Sequence, residues 1–185
     1  AAEIAGFKVH RLLNEATAAV LSYSLLQKRK EKESGIAIVF DFGGGTLDIS
    51  IVDFGQGVCE VIATSGDDRL GGDDFDQIIV SYLLENIKKS VGSSVELSPM
   101  QHFTLKAVAT NAKIDMSDSL TTRNNLSQFI HSFNKHYDLD VSLERKTFES
   151  LCSKLFERAE AVLQTAMNDS LYNKLGPLTD LILIG

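Results

Sequence analysis

Three consecutive glycines, Gly43 to Gly45, separate two apolar runs in the first third of the chain. Residues 36–42 and 47–54 on either side are rich in β-branched and aromatic side chains, which favour extended strands. In the first run, one face carries Ile36, Ile38, Phe40 and Phe42 and the other carries Asp41. In the second run, one face carries Leu47, Ile49 and Ile51 and the other carries Asp48 and Ser50, as expected when one face of a sheet lies against a core. The pattern predicts two antiparallel strands that are joined by a tight glycine turn.

Two carboxylates flank this turn, with Asp41 before it and Asp48 after it. If Phe42 pairs with Leu47, the carboxylates lie directly opposite each other on the face that points away from the core. Like charges in that position are unfavourable in a sheet, and a hydrated cation between them would relieve the repulsion. The glycine N–H groups and the Thr46 hydroxyl can donate to phosphate oxygens at the same place. The residues therefore favour a site for a triphosphate and Mg²⁺, while a tight turn with two solvated carboxylates remains the alternative.

Two common phosphate-binding motifs are excluded by the residues after the glycines. The Walker-type loop and the Rossmann fingerprint both need a helix that begins at the turn. Residues 47–54 instead have the composition of a strand. A phosphate group would therefore bind at the tip of a hairpin.

Charge and cysteine content exclude several classes of function. The chain has 185 residues, a formal net charge of -7 and no basic cluster beyond residues 28–32, which argues against a nucleic-acid or anionic membrane surface. Cys59 and Cys152 are far apart and lack a metal-ligand spacing, so we expect neither a disulfide framework nor a zinc site. No run is apolar enough to span a bilayer, and no signal peptide is recognisable. We expect a cytoplasmic protein in a reducing compartment.

Both ends of the chain look like cuts through a longer protein. Position 1 is not Met, and the apolar run 180–185 stops where a loop is expected to follow a strand. We therefore expect a fragment whose binding site is completed by other segments.

Periodicity predicts a mixed α/β chain around the hairpin. The pattern gives helices at 16–32, 75–91, 99–116 and 143–171, and strands at 58–65, 120–141 and 180–185. Asp73, Asp74 and Asp76 crowd the start of the second helix, where acidic residues are favourable, so we interpret them as capping residues rather than metal ligands. His131 and His136 are interpreted as surface residues, since no third metal ligand is evident.

Four ordered motifs give the chain a family resemblance. They are the helix start Asn14-Glu15, the glycine turn, the segment Leu70 to Asp76 and the terminal Leu-Ile-Leu-Ile-Gly. In this order they resemble the seventy-kilodalton heat-shock chaperone family over essentially the whole chain, and in particular the second lobe of its actin-like ATPase domain. Sugar kinases and actin share the architecture but not this combination of motifs.

The resemblance implies an α/β fold of the actin-like ATPase (ribonuclease H-like) type, with a mixed sheet, packed helices and a smaller α/β subdomain. Residues 1–66 and 143–185 would form the inner subdomain of lobe II, and residues 67–142 the outer subdomain. Mg-ATP or Mg-ADP would bind between this lobe and a first lobe, which is missing here together with the substrate-binding domain. We expect this segment alone not to hydrolyse ATP, because the missing lobe carries a phosphate loop and a lysine that polarises the γ-phosphate.

The resemblance also assigns roles to particular residues. Asp41 and Asp48 match carboxylates that hold Mg²⁺ through water and position the attacking water, and Glu15 matches a carboxylate near them. The residues that match the β/γ-phosphate turn are Gly43, Gly44, Gly45 and Thr46. The positions that match nucleoside contacts are Gly71, Gly72, Thr110, Lys113, Ile114, Ser117 and Gly185. Of these, Lys113 and Ser117 are four residues apart and are expected to share one helical face.

Three positions depart from the family pattern. Thr110 stands where the family commonly has a glutamate that bonds the ribose, and Ile114 where it has an arginine that stacks on adenine. Each loss would cost on the order of 1 kcal/mol or more of binding free energy. Ala16 replaces a proline that is implicated in signalling between the nucleotide and substrate domains. The resemblance therefore implies an atypical member of the family.

Two functions of different classes are consistent with these residues. The first is the nucleotide-binding lobe of an ATP-regulated chaperone in protein folding and the stress response, with exchange factors gripping the outer subdomain and co-chaperones as further partners. The alternative is a degenerate co-chaperone or docking module with weak or no ATP turnover, as the changes at Ala16, Thr110 and Ile114 would allow. A sugar or acid kinase of the same superfold would need a substrate pocket that the sequence does not reveal.

Overall fold

The computed structural model describes residues 1–26, 34–92, 95–132, 135–168 and 176–185. The helices are α1 (Glu15–Leu26), α2 (Gly72–Val91), α3 (Pro99–Asp115), α4 (Arg145–Leu151) and α5 (Ser153–Met167). The strands are β1 (Gly35–Phe42), β2 (Leu47–Gly55), β3 (Val58–Asp67), β4 (Thr121–Ser132), β5 (Lys135–Glu144) and β6 (Asp180–Ile184). Within the described ranges, no helix is both long and apolar enough to cross a membrane.

The chain divides into two compact units. Unit 1 consists of residues 1–69 and 159–185, and unit 2 consists of residues 70–158. The first boundary lies close to the subdomain boundary predicted after residue 66, whereas the second falls inside α5 rather than at residue 143. The assignment of an inner and an outer subdomain stays a prediction.

Unit 1 is built on a four-stranded mixed sheet with the strand order β3-β2-β1-β6. The pairs β1–β2 and β2–β3 are antiparallel, while β6 lies parallel to β1. The predicted register of the hairpin is confirmed, since Phe42 pairs with Leu47 and Asp41 with Asp48. This mixed sheet and the helices around it confirm the predicted α/β class.

One face of this sheet is covered by α1. Ala16 and Val20 of the helix pack together with five buried residues of the sheet: Ala37, Val39, Val52, Phe54 and Ile182. Burying a side chain such as Val20 contributes about 1.5–3 kcal/mol, so this layer fixes the helix on the sheet. Asn14 caps the helix by accepting the Thr17 N–H at 3.2 Å, which places Glu15 in the first turn. The predicted continuation of this helix to residue 32 lies outside the described residues from position 27 onward.

Unit 2 combines α2 and α3 with the β4–β5 hairpin. Its core contains Ile79, Leu83, Ile87, Leu105, Val108, Ala109, Ile130, Leu139, Val141 and Leu143. Ser98 and Gln101 begin α3 reciprocally: the Gln101 N–H donates to the Ser98 hydroxyl at 3.3 Å, and the Ser98 N–H donates to the Gln101 side chain at 2.7 Å. The predicted helices at 75–91 and 99–116 and the strands over 120–141 are confirmed, with ends that differ by a few residues.

The predicted single helix over 143–171 is wrong in two places. First, β5 continues to Glu144, because Val141 and Leu143 are buried at the two-residue period of a strand. Second, α4 ends at Leu151, because Cys152 leaves the helical region with a φ of -92° and a ψ of 4°, and α5 begins at Ser153. The predicted end of the helix lies outside the described residues, because residues 169–175 are not among them.

Candidate functional site

The glycine turn between β1 and β2 is closed by one backbone hydrogen bond, in which the Gly43 N–H donates to the Thr46 carbonyl at 3.0 Å. Gly44, Gly45 and Thr46 are exposed. A Cβ atom placed on Gly44 or Gly45 would meet no atom within 4 Å. The turn therefore leaves open space next to its backbone, which allows an anion to approach the N–H groups closely.

A cleft of about 270 Å³ lies next to the two strands that carry this turn. It is lined by Asn14, Glu15, Ala16, Val39, Asp41, Asp48, Ser50 and Thr64, all of which belong to unit 1. The structure thus brings together the three carboxylates that were predicted as catalytic residues. One wall is formed by strand residues, in which Asp41 pairs with Asp48 and Ser50 pairs with Thr64. Another wall is formed by the start of α1.

The polar groups that line this cleft offer oxygen ligands to a cation. They are the three carboxylates, the Asn14 amide and the hydroxyls of Ser50 and Thr64, whose oxygens are 3.4 Å apart. Oxygen ligands of this kind suit Mg²⁺. No three acidic, histidine or cysteine side chains in the described residues form a group that could hold a metal ion directly. The oxygen ligands of the cleft fit Mg²⁺, and the prediction that the ion is held through water stays a prediction.

Gly185 lies at the end of β6, close to the start of the glycine turn. Its φ is 132°, which L side chains rarely adopt, and a Cβ atom on it would collide with the Phe42 carbonyl and lie 3.1 Å from the Gly43 nitrogen. Only glycine therefore fits at position 185 without a movement of the backbone. Its predicted contact with adenosine stays a prediction.

We expect Gly185→Ala to lower the free energy of unfolding of the ATPase domain by about 2 kcal/mol or more, because the substitution combines a strained φ with a collision against backbone. Urea denaturation followed by circular dichroism measures the change. Gly44→Ala is the matched control for stability, since its Cβ meets open space. Equal stability of the Gly185 variant and the wild type would contradict the close approach of β6 to the turn.

In unit 2, Gly71 and Gly72 form the start of α2. The Gly71 N–H donates to the Asp74 carboxylate at 2.8 Å, and the Asp74 N–H donates back to the Gly71 carbonyl at 3.0 Å. Asp74 therefore caps the helix, as predicted. Asp73 is exposed and forms an ion pair with Lys106 of α3 at 3.0 Å.

Asp76 differs from its two acidic neighbours, and the prediction that it caps α2 is wrong. The residue is 3% exposed. One carboxylate oxygen is 2.7 Å from the Lys113 ammonium, and the other accepts a hydrogen bond from the Thr110 hydroxyl at 2.7 Å. Lys113 also donates to the Gly72 carbonyl at 2.8 Å. Asp76 thus links α2 to α3 through two of the residues that were predicted to contact a nucleoside.

The remaining predicted nucleoside contacts lie near the end of α3. The Ile114 side chain is 60% exposed, so it does not belong to the packed face of the helix. α3 ends at Asp115, and the Ser117 N–H donates to the Ile114 carbonyl at 2.9 Å in the turn after the helix. The prediction that Lys113 and Ser117 share one helical face is therefore wrong. Their contacts with a nucleoside stay predictions.

The cysteines do not add a nucleophile to either unit. Burial raises the pKa of the Cys152 thiol to about 11, and the nearby Lys113 ammonium only partly opposes this shift. Burial also raises the pKa of Cys59. Both shifts favour the protonated thiol over the nucleophilic thiolate. His136 is exposed, as predicted, and the side chain of His131 lies outside the described part of the chain.

Three polar residues that line the cleft in unit 1 had no predicted role in the site, namely Asn14, Ser50 and Thr64. A signal for Ser50 was present, because a residue two positions after Asp48 in a strand lies on the same face. Thr64 pairs with Ser50 across β2 and β3. Its place was not predictable until the register of the third strand was known.

Comparison with known proteins gives consistent matches. The family model described as "Hsp70 protein" matches residues 1–185. A protein named "Chaperone protein DnaK" from Mycoplasmopsis agalactiae is 40% identical over 186 aligned residues, which cover 100% of this chain. Proteins of the same name from Thermosipho melanesiensis and Thermosipho africanus are 41% and 40% identical over 184 residues, which cover 98% of this chain. The chain spans about 30% of the length of each of these relatives.

Proposed function

This chain belongs to the Hsp70 protein family, and we propose that it is the nucleotide-binding lobe of a chaperone-like ATPase. The ligand would be Mg-ATP or Mg-ADP. The observation that carries the proposal is the position of Asp41 directly opposite Asp48, beside the open glycine turn. The two carboxylates would repel a bare phosphate, whereas the N–H groups of the turn would attract one. A Mg-bound triphosphate fits both, because the cation offsets the carboxylate charge and the phosphate oxygens accept hydrogen bonds from the turn. In the parent protein, nucleotide binding would regulate the binding of polypeptides by a substrate-binding domain outside this chain.

The glycine turn and the three carboxylates of the cleft have separate tasks in this proposal. Gly43 to Thr46 would surround the β- and γ-phosphates, with the N–H groups of Gly44 and Gly45 and the Thr46 hydroxyl as donors, since the Gly43 N–H already donates to the Thr46 carbonyl. Asp41 and Asp48 would hold Mg²⁺ through water and position the attacking water, and Glu15 would add a third carboxylate near them. Mg²⁺ supplies positive charge that offsets the charge of the phosphates. A first lobe outside this chain would supply further positive charge, so residues 1–185 alone are not expected to hydrolyse ATP.

Titration calorimetry of the complete ATPase domain tests this proposal. We expect MgATP and MgADP to bind, and we expect binding to weaken strongly when EDTA removes the metal. Absence of binding to both nucleotides by a folded domain would reject the proposal and leave the docking module as the better function.

The alternative, a degenerate co-chaperone or docking module, is supported by two observations in unit 2. The Thr110 hydroxyl is engaged by Asp76 at 2.7 Å. The Ile114 side chain is aliphatic and exposed, at the position where the family resemblance implies an arginine that stacks on adenine. An affinity that rests mainly on phosphate contacts would discriminate poorly between ATP and GTP. Weak binding without turnover is the expected behaviour if these losses are not offset elsewhere.

Ile114→Arg is expected to tighten ATP binding about fivefold, or roughly 1 kcal/mol, by restoring a cation that can stack on adenine. Because Ile114 is 60% exposed, the substitution removes little packing. Phe103→Arg on the same helix is the control, since Phe103 is 73% exposed and has no assigned role. Fluorescence titrations with ATP and GTP measure the effect. An equal gain from both variants would indicate general charge attraction and contradict stacking at position 114.

Other features of the parent protein are proposed by analogy with the family. Nucleotide exchange factors and other co-chaperones are the proposed partners, with residues 67–142 as the region that an exchange factor would contact. The protein is proposed to act in the cytoplasm.

A further inference from the structure

Gly66 lies one residue before the end of β3, and its backbone conformation does not require a glycine. It pairs directly with Asp48 of β2. Its φ lies outside the left-handed region in which glycine is favoured. Glycine weakens a strand and often marks a place where another group approaches closely. The feature of Gly66 that matters is therefore the absence of a side chain, which leaves space beside β3 for a neighbouring group.

The Asp48 carboxylate occupies that space. A Cβ atom on Gly66 would lie 2.8 Å from Asp48 Oδ1 and 3.1 Å from the Leu47 carbonyl oxygen. The carboxylate thus leans over β3, which lies on the side of β2 away from β1. Asp41 stands on β1, directly opposite Asp48. Leaning toward Gly66 moves the Asp48 charge away from the Asp41 charge and reduces their repulsion.

We propose that Gly66 is a positioning residue that holds the carboxylates of Asp41 and Asp48 apart at the distance a hydrated divalent cation needs. A side chain at position 66 pushes the Asp48 carboxylate toward Asp41, because an exposed carboxylate moves more readily than the backbone of a sheet. The inference rests on the proposed function, since its effect is expressed through Mg²⁺ and nucleotide. Gly66 itself would contact neither Mg²⁺ nor the nucleotide.

The test is Gly66→Ala in the full-length protein. We expect the Mg²⁺ concentration that gives half-maximal nucleotide binding to rise about tenfold, as is typical when a group that orients a metal site is changed. In EDTA, the Gly66→Ala protein and the wild type are expected to bind nucleotide with equal affinity, because this residual binding does not involve the metal. A substitution that only loosened the fold would weaken binding with and without Mg²⁺ alike.

Two further variants separate positioning from structure. Ser65→Ala is the control in the same strand, since Ser65 pairs with Ile49 rather than with a site residue, and it is expected to keep the wild-type Mg²⁺ dependence. In the Asp48→Ala background, Gly66→Ala is expected to cause no additional loss of Mg²⁺-dependent binding. If Gly66→Ala destabilises the fold, the loss of stability is expected to be smaller in that background, because the displaced carboxylate is absent.

Two results would overturn the inference. The first is an unchanged Mg²⁺ dependence in a folded Gly66→Ala protein, and the second is an equal effect of the substitution with and without Asp48. If the wild type binds no nucleotide, the proposed function is rejected, and a crystal structure of Gly66→Ala then decides on the positioning. A displaced Asp48 carboxylate would support the inference, and an unmoved one would overturn it.

Discussion

Asp48→Ala is expected to lower Mg²⁺-dependent ATP turnover by the parent protein about 10²- to 10³-fold, and Asp41→Ala is expected to have an effect of similar size. Phosphoryl transfer depends on positioned charge, and removing one positioned group from such a site typically costs this factor. Both carboxylates line the same cleft beside the glycine turn. Single-turnover measurements on the full-length variants, at saturating and limiting Mg²⁺, give the loss.

Asp73→Ala is the matched control for these two variants. It also removes one carboxylate, but Asp73 is exposed and pairs with Lys106 outside the cleft. Losses of equal size for all three variants would contradict the assignment of the metal site. Unfolding of the variants would not explain the expected pattern, because removing one of two opposed carboxylates relieves repulsion within the sheet. The nucleotide-free domain is therefore expected to keep its stability in Asp41→Ala and Asp48→Ala.

The hairpin in unit 1 could be predicted down to its register. The two-residue period of a strand fixes which side chains share a face, and a glycine turn fixes which residues lie opposite each other. These two local rules were enough to place Asp41 opposite Asp48. The prediction that the face of Asp41 and Asp48 points away from the core is wrong, because Ala37 and Val39 on the Asp41 side of β1 are buried under α1. The position of Glu15 beside them depends on how α1 packs on the sheet, which no local pattern reports, and it was inferred from the family resemblance instead.

Asp76 shows where local patterns fail. Acidic residues at a helix start have the same sequence signature whether they cap the helix or pair with another element. The partners of Asp76 are Thr110 and Lys113, which lie more than thirty residues further along the chain. Burial separates Asp76 from Asp73 and Asp74, and burial is a consequence of the packing of α2 on α3. The sequence alone had no means to distinguish the three.

The misplaced helix start after β5 has a related cause. Val141, Leu143 and Phe148 are apolar residues that fit either a strand or a helix over a short window. Leu143 belongs to β5 because it pairs with Thr122 of β4 and faces the core. Residues up to Glu144 therefore form a strand because they pair with β4, although their sequence pattern also fits a helix.

Lys113→Ala is expected to lower the free energy of unfolding of unit 2 by about 3 kcal/mol, because it leaves the Asp76 carboxylate buried without its counter-charge. The Asp76 side chain is only 5% exposed. The lysine side chain is 26% exposed, so in Asp76→Ala its ammonium can reach water, and the loss is expected to be smaller.

Lys106→Ala is the matched control, since this lysine of α3 also pairs with an aspartate of α2. The side chains of Lys106 and Asp73 are 54% and 66% exposed, and such a surface pair contributes at most about 1 kcal/mol. Urea denaturation, together with hydrogen exchange of the α2 and α3 amides, measures both variants. Equal losses for the two lysine variants would mean that packing alone holds α2 against α3. A large loss for Lys113→Ala would assign that lysine a structural task in the free protein, before any nucleotide is bound.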